Sequence, residues 1–181
     1  LSGRPVPVVI PVGQEENLKG VIDLLTNQAI LWKDESLGAE FYYTEIPEEL
    51  KEEAKLWRDK MLETAAEFDD VLLDKYLHGQ PISEDEIIKA IRKGTLEMKI
   101  FPVVCGASFK NKGIQPMLDA VIKYLPNPLD VPPIKGINPD TELEELRHTD
   151  NKEPFSALAF KIATDPFVGR LCYIRVYSGK L

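Results

Sequence analysis

The sequence predicts an α/β protein: a small mixed sheet and three helices, then a strand–turn–helix unit, then a short β segment. Three observations carry this. Short β-branched runs such as Val6-Pro7-Val8-Val9-Ile10 dominate the beginning. Apolar residues then recur at spacings of three and four from Leu50 to Phe68, the signature of one buried helical stripe. Past Ile100 the pattern returns to a β-branched run, a glycine-bearing turn and a second helical period.

Val6 to Ile10, ending at Pro11 and Gly13, reads as a buried strand. Val21 to Trp32 reads as two strands around Thr26-Asn27-Gln28, and Phe41 to Thr44 as a further one. Pro47 suits a first helical turn because its missing N–H costs nothing there, and Glu48 and Glu49 sit at the positive end of the dipole. Leu50, Ala54, Trp57, Met61, Ala65 and Phe68 should form the buried face of that helix. A second helix over Asp70 to Leu77 stops at His78-Gly79, where glycine permits a left-handed cap. A third opens on Ser83 with Glu86 three residues on, a capping box, and should end or loosen at Gly94.

Ile100 to Val104 is a strand, Cys105 to Ser108 a turn, and Ile114 to Leu125 a helix. Pro126, Pro128, Pro132 and Pro133, followed by the acidic stretch from Asp140 to Glu145, predict an extended connector at a domain boundary. Phe155 to Ile162 and Leu171 to Val176 are strand-like, with Asp165-Pro166 and Gly169 between them. Neither end carries the polar tail common at native termini, so the chain reads as an excerpt of something longer.

Composition narrows the function. With 44% hydrophobic and 29% charged residues, the 181-residue chain can bury a core. No apolar run approaches the roughly 20 residues of a membrane helix, and the first residues show no signal pattern, so a cytoplasmic location without membrane association is expected. Two distant cysteines, Cys105 and Cys172, form no disulfide framework. A formal charge of −8 argues against a broad nucleic-acid surface and favours a basic protein partner. From Glu45 to Asp70 ten acidic residues face four basic ones, so one element carries most of the excess.

The acidic helix offers no pocket for an acid/base pair, and neither His78 nor His148 has zinc-ligand spacing, so no catalytic residue and no metal site is assigned. Ser156 lies in an alternating strand without a histidine partner and reads as a strand-face residue. At 100° per residue, the face opposite Trp57 and Met61 carries Glu48, Glu52, Leu56, Asp59 and Glu63. That face is either a solvated stripe or a protein-docking surface. The chain contains no phosphate-loop motif and no guanine-reading Asn-Lys-x-Asp, so alone it assembles no nucleotide site.

Val103-Val104-Cys105-Gly106-Ala107-Ser108-Phe109-Lys110-Asn111-Lys112-Gly113-Ile114-Gln115-Pro116-Met117-Leu118-Asp119-Ala120-Val121 closely resembles the end of the GTP-binding domain of the elongation factor G family. Glu153 to Ile162, then Asp165 to Gly169, resembles the first strands of that family's second domain, and Val6 to Gly94 its insert. The resemblance implies an insert subdomain at 1–99, the closing strand, guanine-motif turn and helix of a Ras-like domain at 100–128, a linker at 129–152, and a partial β-barrel at 153–181. It implies a parent GTPase that drives ribosomal translocation with GTP and magnesium, and no cofactor bound by this piece alone.

Backbone N–H groups of Gly106, Ala107 and Ser108 would approach the guanine oxygen. The family usually reads Ser-Ala where this chain has Ala107-Ser108, which a backbone contact tolerates. The insert is implicated in contact with the basic stalk protein of the large ribosomal subunit, which favours docking at Glu52, Leu56 and Asp59; ribosomal RNA would be met through the rest of the parent. Strands cut from a barrel would also be open to self-association. The alternatives are a stand-alone acidic interaction domain, or a piece of a ribosomal protection protein or release factor.

Overall fold

The computed structural model describes residues 3–33, 38, 40–138 and 140–181, so Leu1 and Ser2, at the head of the run read for a signal pattern, lie outside the described residues. The fold is mixed α/β, with several small sheets and, among the described residues, four α-helices. Its contacts divide into two units, Leu1–Leu125 and Pro126–Leu181.

In the first unit the expected opening strand is two strands in two sheets. β1 (Arg4–Pro7) pairs in parallel with β6 (Ile100–Val103), whereas β2 (Val9–Val12) begins an antiparallel meander with β3 (Gly20–Asp23), β4 (Gln28–Trp32) and β5 (Phe41–Thr44). Val8, which is buried, is the switch. Its N–H donates to Val103 O at 3.0 Å, and its carbonyl accepts from Leu24 N–H at 3.1 Å. The run is apolar on both faces, so side-chain alternation carries no mark of the break. The sheet is therefore not one mixed sheet, and the parallel pairing stands apart from an all-antiparallel meander whose short connections permit only that sense.

Ile10 faces Ile22 across the first ladder and Ile22 faces Ala29 across the next, which fills one continuous core. The β3–β4 turn holds Asn27 at φ 56°, a conformation asparagine tolerates, and Asp23 Oδ1 accepts Leu25 N–H at 2.8 Å.

α1 (Lys51–Ala66) follows a 3₁₀ turn at Glu48–Leu50. Ala54, Met61 and Ala65 are fully buried, and Leu50, Trp57 and Phe68 pack against the same core, so the expected stripe exists. α2 (Asp70–Leu77) starts at Asp69, whose carboxylate accepts Val71 N–H at 3.0 Å and Leu72 N–H at 2.9 Å. It ends ahead of Gly79, at φ 62°.

α3 (Glu84–Leu96) carries the capping box: Ser83 N–H donates to Glu86 Oε2 at 2.9 Å and Glu86 N–H to Ser83 Oγ at 3.4 Å. The helix does not stop at Gly94. A Cβ there would lie 2.8 Å from Ile100 Cδ1 and 2.9 Å from Phe68 Cε2, so glycine lets α3 approach β6 and the end of α1. The close approach, not helix termination, explains the residue.

Glu86 also accepts from Lys75 Nζ at 2.5 Å, joining α2 to α3. The Lys75 hydrogen bond, then those from Ser83, pull the Glu86 carboxyl from 4.5 to about 2. A depressed carboxyl contributes stability that is full above its unfolded value and is lost as pH falls through the folded one. Thermal midpoints followed from pH 5 down to about 2 should therefore fall more steeply in the native protein than in Glu86→Gln. Parallel curves would refute the assignment.

β6 leads through residues 104–113 into α4 (Ile114–Tyr124), which packs on α3. The Arg92 guanidinium donates to Lys123 O at 3.1 Å and Leu125 O at 2.8 Å, closing the C-terminal end of α4.

In the second unit the residues expected to be a linker hold two strands, β7 (Ile134–Ile137) and β8 (Glu144–Arg147), paired antiparallel. Both are four residues long and mostly exposed, so neither leaves an apolar alternation to read. β9 (Ser156–Asp165) and β10 (Gly169–Ser178) form a long hairpin with register shifts at Tyr173/Ile174 and Val176/Ser178. Asp165 Oδ1 accepts Phe167 N–H at 2.8 Å and Val168 N–H at 3.0 Å in the turn, and Gly169 takes φ 84°. Apolar residues of both strands, among them Phe160, Ile162, Leu171 and Val176, are exposed within this unit.

Candidate functional site

The turn after β6 is a closed miniature hairpin. Ala107 N–H donates to Lys112 O at 2.8 Å and Lys112 N–H returns to Ala107 O at 3.1 Å. Inside it, Ser108–Lys110 form a 3₁₀ turn in which Lys110 N–H donates to Ala107 O and Asn111 N–H to Ser108 O, both at 3.0 Å. Asn111 at φ 53° and Gly113 at φ 82° reverse the chain so that Gly113 caps α4. Gly106 lies against this reversal: a Cβ would fall 2.7 Å from Lys112 O.

Two lysines clip the loop to the segment before β3. Lys112 is buried, with its ammonium 3.0 Å from Leu18 O, and Lys110 donates to Glu16 O at 2.8 Å. Nothing local in the sequence singles out Lys112, because a lysine beside a glycine usually reads as solvated. Cys105 is half-buried, which pushes its thiol above the ordinary value and leaves it a packing residue rather than a nucleophile.

Of the three amides expected to face a guanine oxygen, Ala107's is occupied by Lys112 O. The N–H groups of Gly106 and Ser108 have no acceptor among the described residues, and neither does that of Phe109, whose side chain is fully exposed. The loop therefore offers adjacent Ser108 and Phe109 donors on a rigid, backbone-bonded support. Such a pair suits a carbonyl oxygen.

The acidic residues lie elsewhere, on α1, which packs against α2, α3 and β1. Glu52, Leu56, Asp59 and Glu63 follow one another at steps of four, three and four along the exposed side, with Leu56 53% exposed. Glu48 is not on this helix: it sits in the preceding 3₁₀ turn and pairs with Lys51 at 2.5 Å. Pro47 starts that tighter turn, which displaces Glu48 from the α-helical face. On the opposite side Arg58 donates to Leu24 O and, at 2.8 Å, to Leu25 O, holding α1 on the β3–β4 turn. Glu67 accepts two bonds from Arg4, at 2.6 and 2.7 Å, and ties α1 to β1.

Among the described residues, no cluster of three His, Cys, Asp or Glu is arranged to hold a metal ion, and no helix is long and apolar enough to cross a membrane.

No protein-family profile matches the chain. It is 57% identical, over its whole length, to elongation factor G of Amoebophilus asiaticus (strain 5a2), and spans 26% of that protein. A crystal structure of a Thermus thermophilus protein superposes with a TM-score of 0.70 at 25% identity, covering 98% of this chain and 24% of the other. The similarity extends over the turn at Gly106 to Ser108, the acidic helix and the final hairpin alike, so the whole chain is similar to a segment of an elongation factor G that makes up about a quarter of that protein.

Proposed function

We propose that the chain is a segment of a translocation GTPase of protein synthesis, in which it forms the guanine end of the nucleotide site and a docking face for the ribosomal stalk. The observation that carries this reading is the whole-length identity to an elongation factor G, joined to a loop whose Ser108 and Phe109 amides are unspent. Residues 1–99 act as the insert, 100–128 close a Ras-like domain, 129–152 connect, and 153–181 begin a β-barrel. GTP would supply the guanine oxygen to the loop, with Gly106 and Ala107 shaping the turn and Ser108 donating to it. Magnesium and the groups that hold phosphate belong, in this reading, to other parts of the parent.

The exposed stripe of Glu52, Leu56, Asp59 and Glu63 would meet the basic stalk domain, with Glu48 at its edge. Ribosomal contacts beyond that would come through the rest of the parent, in the cytoplasm. The exposed apolar faces of β9 and β10 would be covered by further barrel strands, and self-association is the alternative when those are absent.

The test is a chimera. An elongation factor G whose matching segment is exchanged for these 181 residues should retain GTP-dependent translocation on ribosomes. Loss of translocation in a folded chimera would sink the proposal. The chain alone should bind GTP too weakly for calorimetry at micromolar concentration and should not hydrolyse it, since base contacts are all it provides. Micromolar affinity would mean that it is a nucleotide-binding domain in its own right.

A further inference from the structure

An open recess of about 560 Å³ lies in the first unit between the β3–β4 turn, the residues just after β5 and the first half of α1. Spacings of four and three put Lys51, Lys55 and Arg58 on one flank of α1, and all three border the recess. In a chain of formal charge −8, three cations against one bordering carboxylate, Glu45, are a local reversal of sign. The recess shares no residue with the loop at 105–113 or with the stripe of Glu52, Leu56, Asp59 and Glu63.

The three cations are not equally committed. Lys51 is held by Glu48 at 2.5 Å. Lys55 is exposed, and its ammonium has no partner among the described residues. Arg58 is half-buried, and its Nη1 donates to Leu24 O and, at 2.8 Å, to Leu25 O. Those carbonyls fix the guanidinium without neutralising it, and among the described residues no carboxylate pairs with it. A half-buried cation without a counter-ion is costly, so the absence of one beside an open recess points to an anion from outside. The Arg58 Nε and Nη2, which lie side by side on the other edge of the group, have no acceptor among the described residues. That edge is the fork with which arginine grips two oxygens of an oxyanion.

The turn across the recess supplies further donors. The N–H groups of Thr26 and Asn27 have no acceptor among the described residues, and neither do the exposed side-chain amides of Asn27 and Gln28. Successive N–H groups in a turn, here with Asn27 at φ 56°, make the kind of concavity in which backbone binds anions.

We propose that this recess binds a phosphate group, free or as the monoester end of a small molecule. The Arg58 fork takes two of its oxygens, the Lys55 ammonium adds charge, and the Thr26–Asn27 turn donates to a third oxygen. A carboxylate held by the fork has both oxygens turned toward α1, whereas a tetrahedral phosphate keeps one for the turn, and that difference selects phosphate. The volume falls within the roughly 300–1,000 Å³ of small-molecule sites, which leaves room for the rest of a monoester.

Inorganic phosphate, phenyl phosphate and acetate, compared at constant ionic strength, are the probes. In two-dimensional NMR of the whole chain, both phosphates should shift the Asn27 and Gln28 backbone amides saturably at millimolar concentration, and acetate should not. Lys55→Ala, which removes a side chain without a partner, should weaken phosphate about threefold. Arg58→Lys, which keeps the charge and loses the fork, should weaken it about fivefold. Lys60→Ala should change nothing, since that ammonium lies on another flank of α1, 4.6 Å from the centre of the Trp57 ring. Tighter binding of phenyl phosphate than of inorganic phosphate would assign the recess to a monoester, and equal binding to free phosphate. Absence of saturable shifts, or equal shifts from acetate, would overturn the proposal. Unchanged affinity in Lys55→Ala, which decides the matter even if Arg58→Lys fails to fold, would overturn it too, as would an equal weakening in Lys60→Ala.

Discussion

Gly113→Ala should lower stability by about 2–5 kcal/mol, because two separate costs meet at one residue. An alanine there must keep φ at 82°, a left-handed conformation that costs a residue with a Cβ about 1–2 kcal/mol. The added methyl must also fit 2.8 Å from both Cys105 O and Gly106 Cα, which are backbone atoms that cannot swing aside. Either the Ala107–Lys112 bridge opens or the start of α4 moves. Gly79→Ala is the matched comparison, since Gly79 has φ 62° and open space around its Cβ position. Denaturant midpoints should fall well below those of Gly79→Ala, and the Ser108 and Phe109 amide resonances should move only in Gly113→Ala. Equal losses in the two variants would show that collision within the loop contributes nothing.

Part of this architecture is legible in the sequence, and the rest is hidden for physical reasons. α1 and α3 are readable because an amphipathic helix repeats its burial along the chain, and the box at Ser83 and Glu86 uses side chains. Asp69 is also a side-chain cap, yet Glu67 and Asp70 stand beside it, and nothing in the run distinguishes the carboxylate that caps from those that are solvated. The shape of the loop at 105–113 is not readable at all. Its Ala107–Lys112 bridge is made of backbone groups, which every residue type carries. Gly94 misleads for the opposite reason: its low helix propensity is local, whereas the neighbours that require it, Ile100 and Phe68, come from other elements.

If α1 is the docking face proposed above, exchanging Glu52 and Asp59 for lysine should abolish most binding to a basic stalk domain while leaving the fold intact. Both side chains are exposed, and neither makes an ion pair or hydrogen bond among the described residues, so no native interaction is lost. The exchange turns two attractive charges into repulsive ones, and like charges brought together at an interface cost several kcal/mol, on the order of a hundredfold or more in affinity. Salt supplies the second signature. Attraction in the native chain should fade as the screening length shrinks from about 8 Å at physiological ionic strength to about 3 Å at 1 M, while the variant, repelled at the outset, should bind slightly better. In that docking Leu56 would add an apolar contact that salt does not screen, so Leu56→Ala should lower affinity equally at low and high salt. Titration of the labelled stalk domain by NMR reads all three. Unchanged affinity in the double variant, or shifts confined to α4, would remove α1 as the docking face.

The division of one apolar run between two sheets at Val8 has a consequence in the order of folding. The meander of β2 to β5 pairs strands that are neighbours in sequence, but β1 must find a partner at the far side of the helices, since Arg4 pairs with Ile100. Chain entropy makes such a non-local pairing slow and leaves it to follow the local ones. The loop at 105–113 hangs from β6 and is clipped by Lys112 to Leu18, so it inherits that delay. Meander and helices should therefore gain protection in pulsed hydrogen exchange before the β1–β6 ladder does, and the loop at 105–113 should be among the last parts of the unit to acquire its native shape.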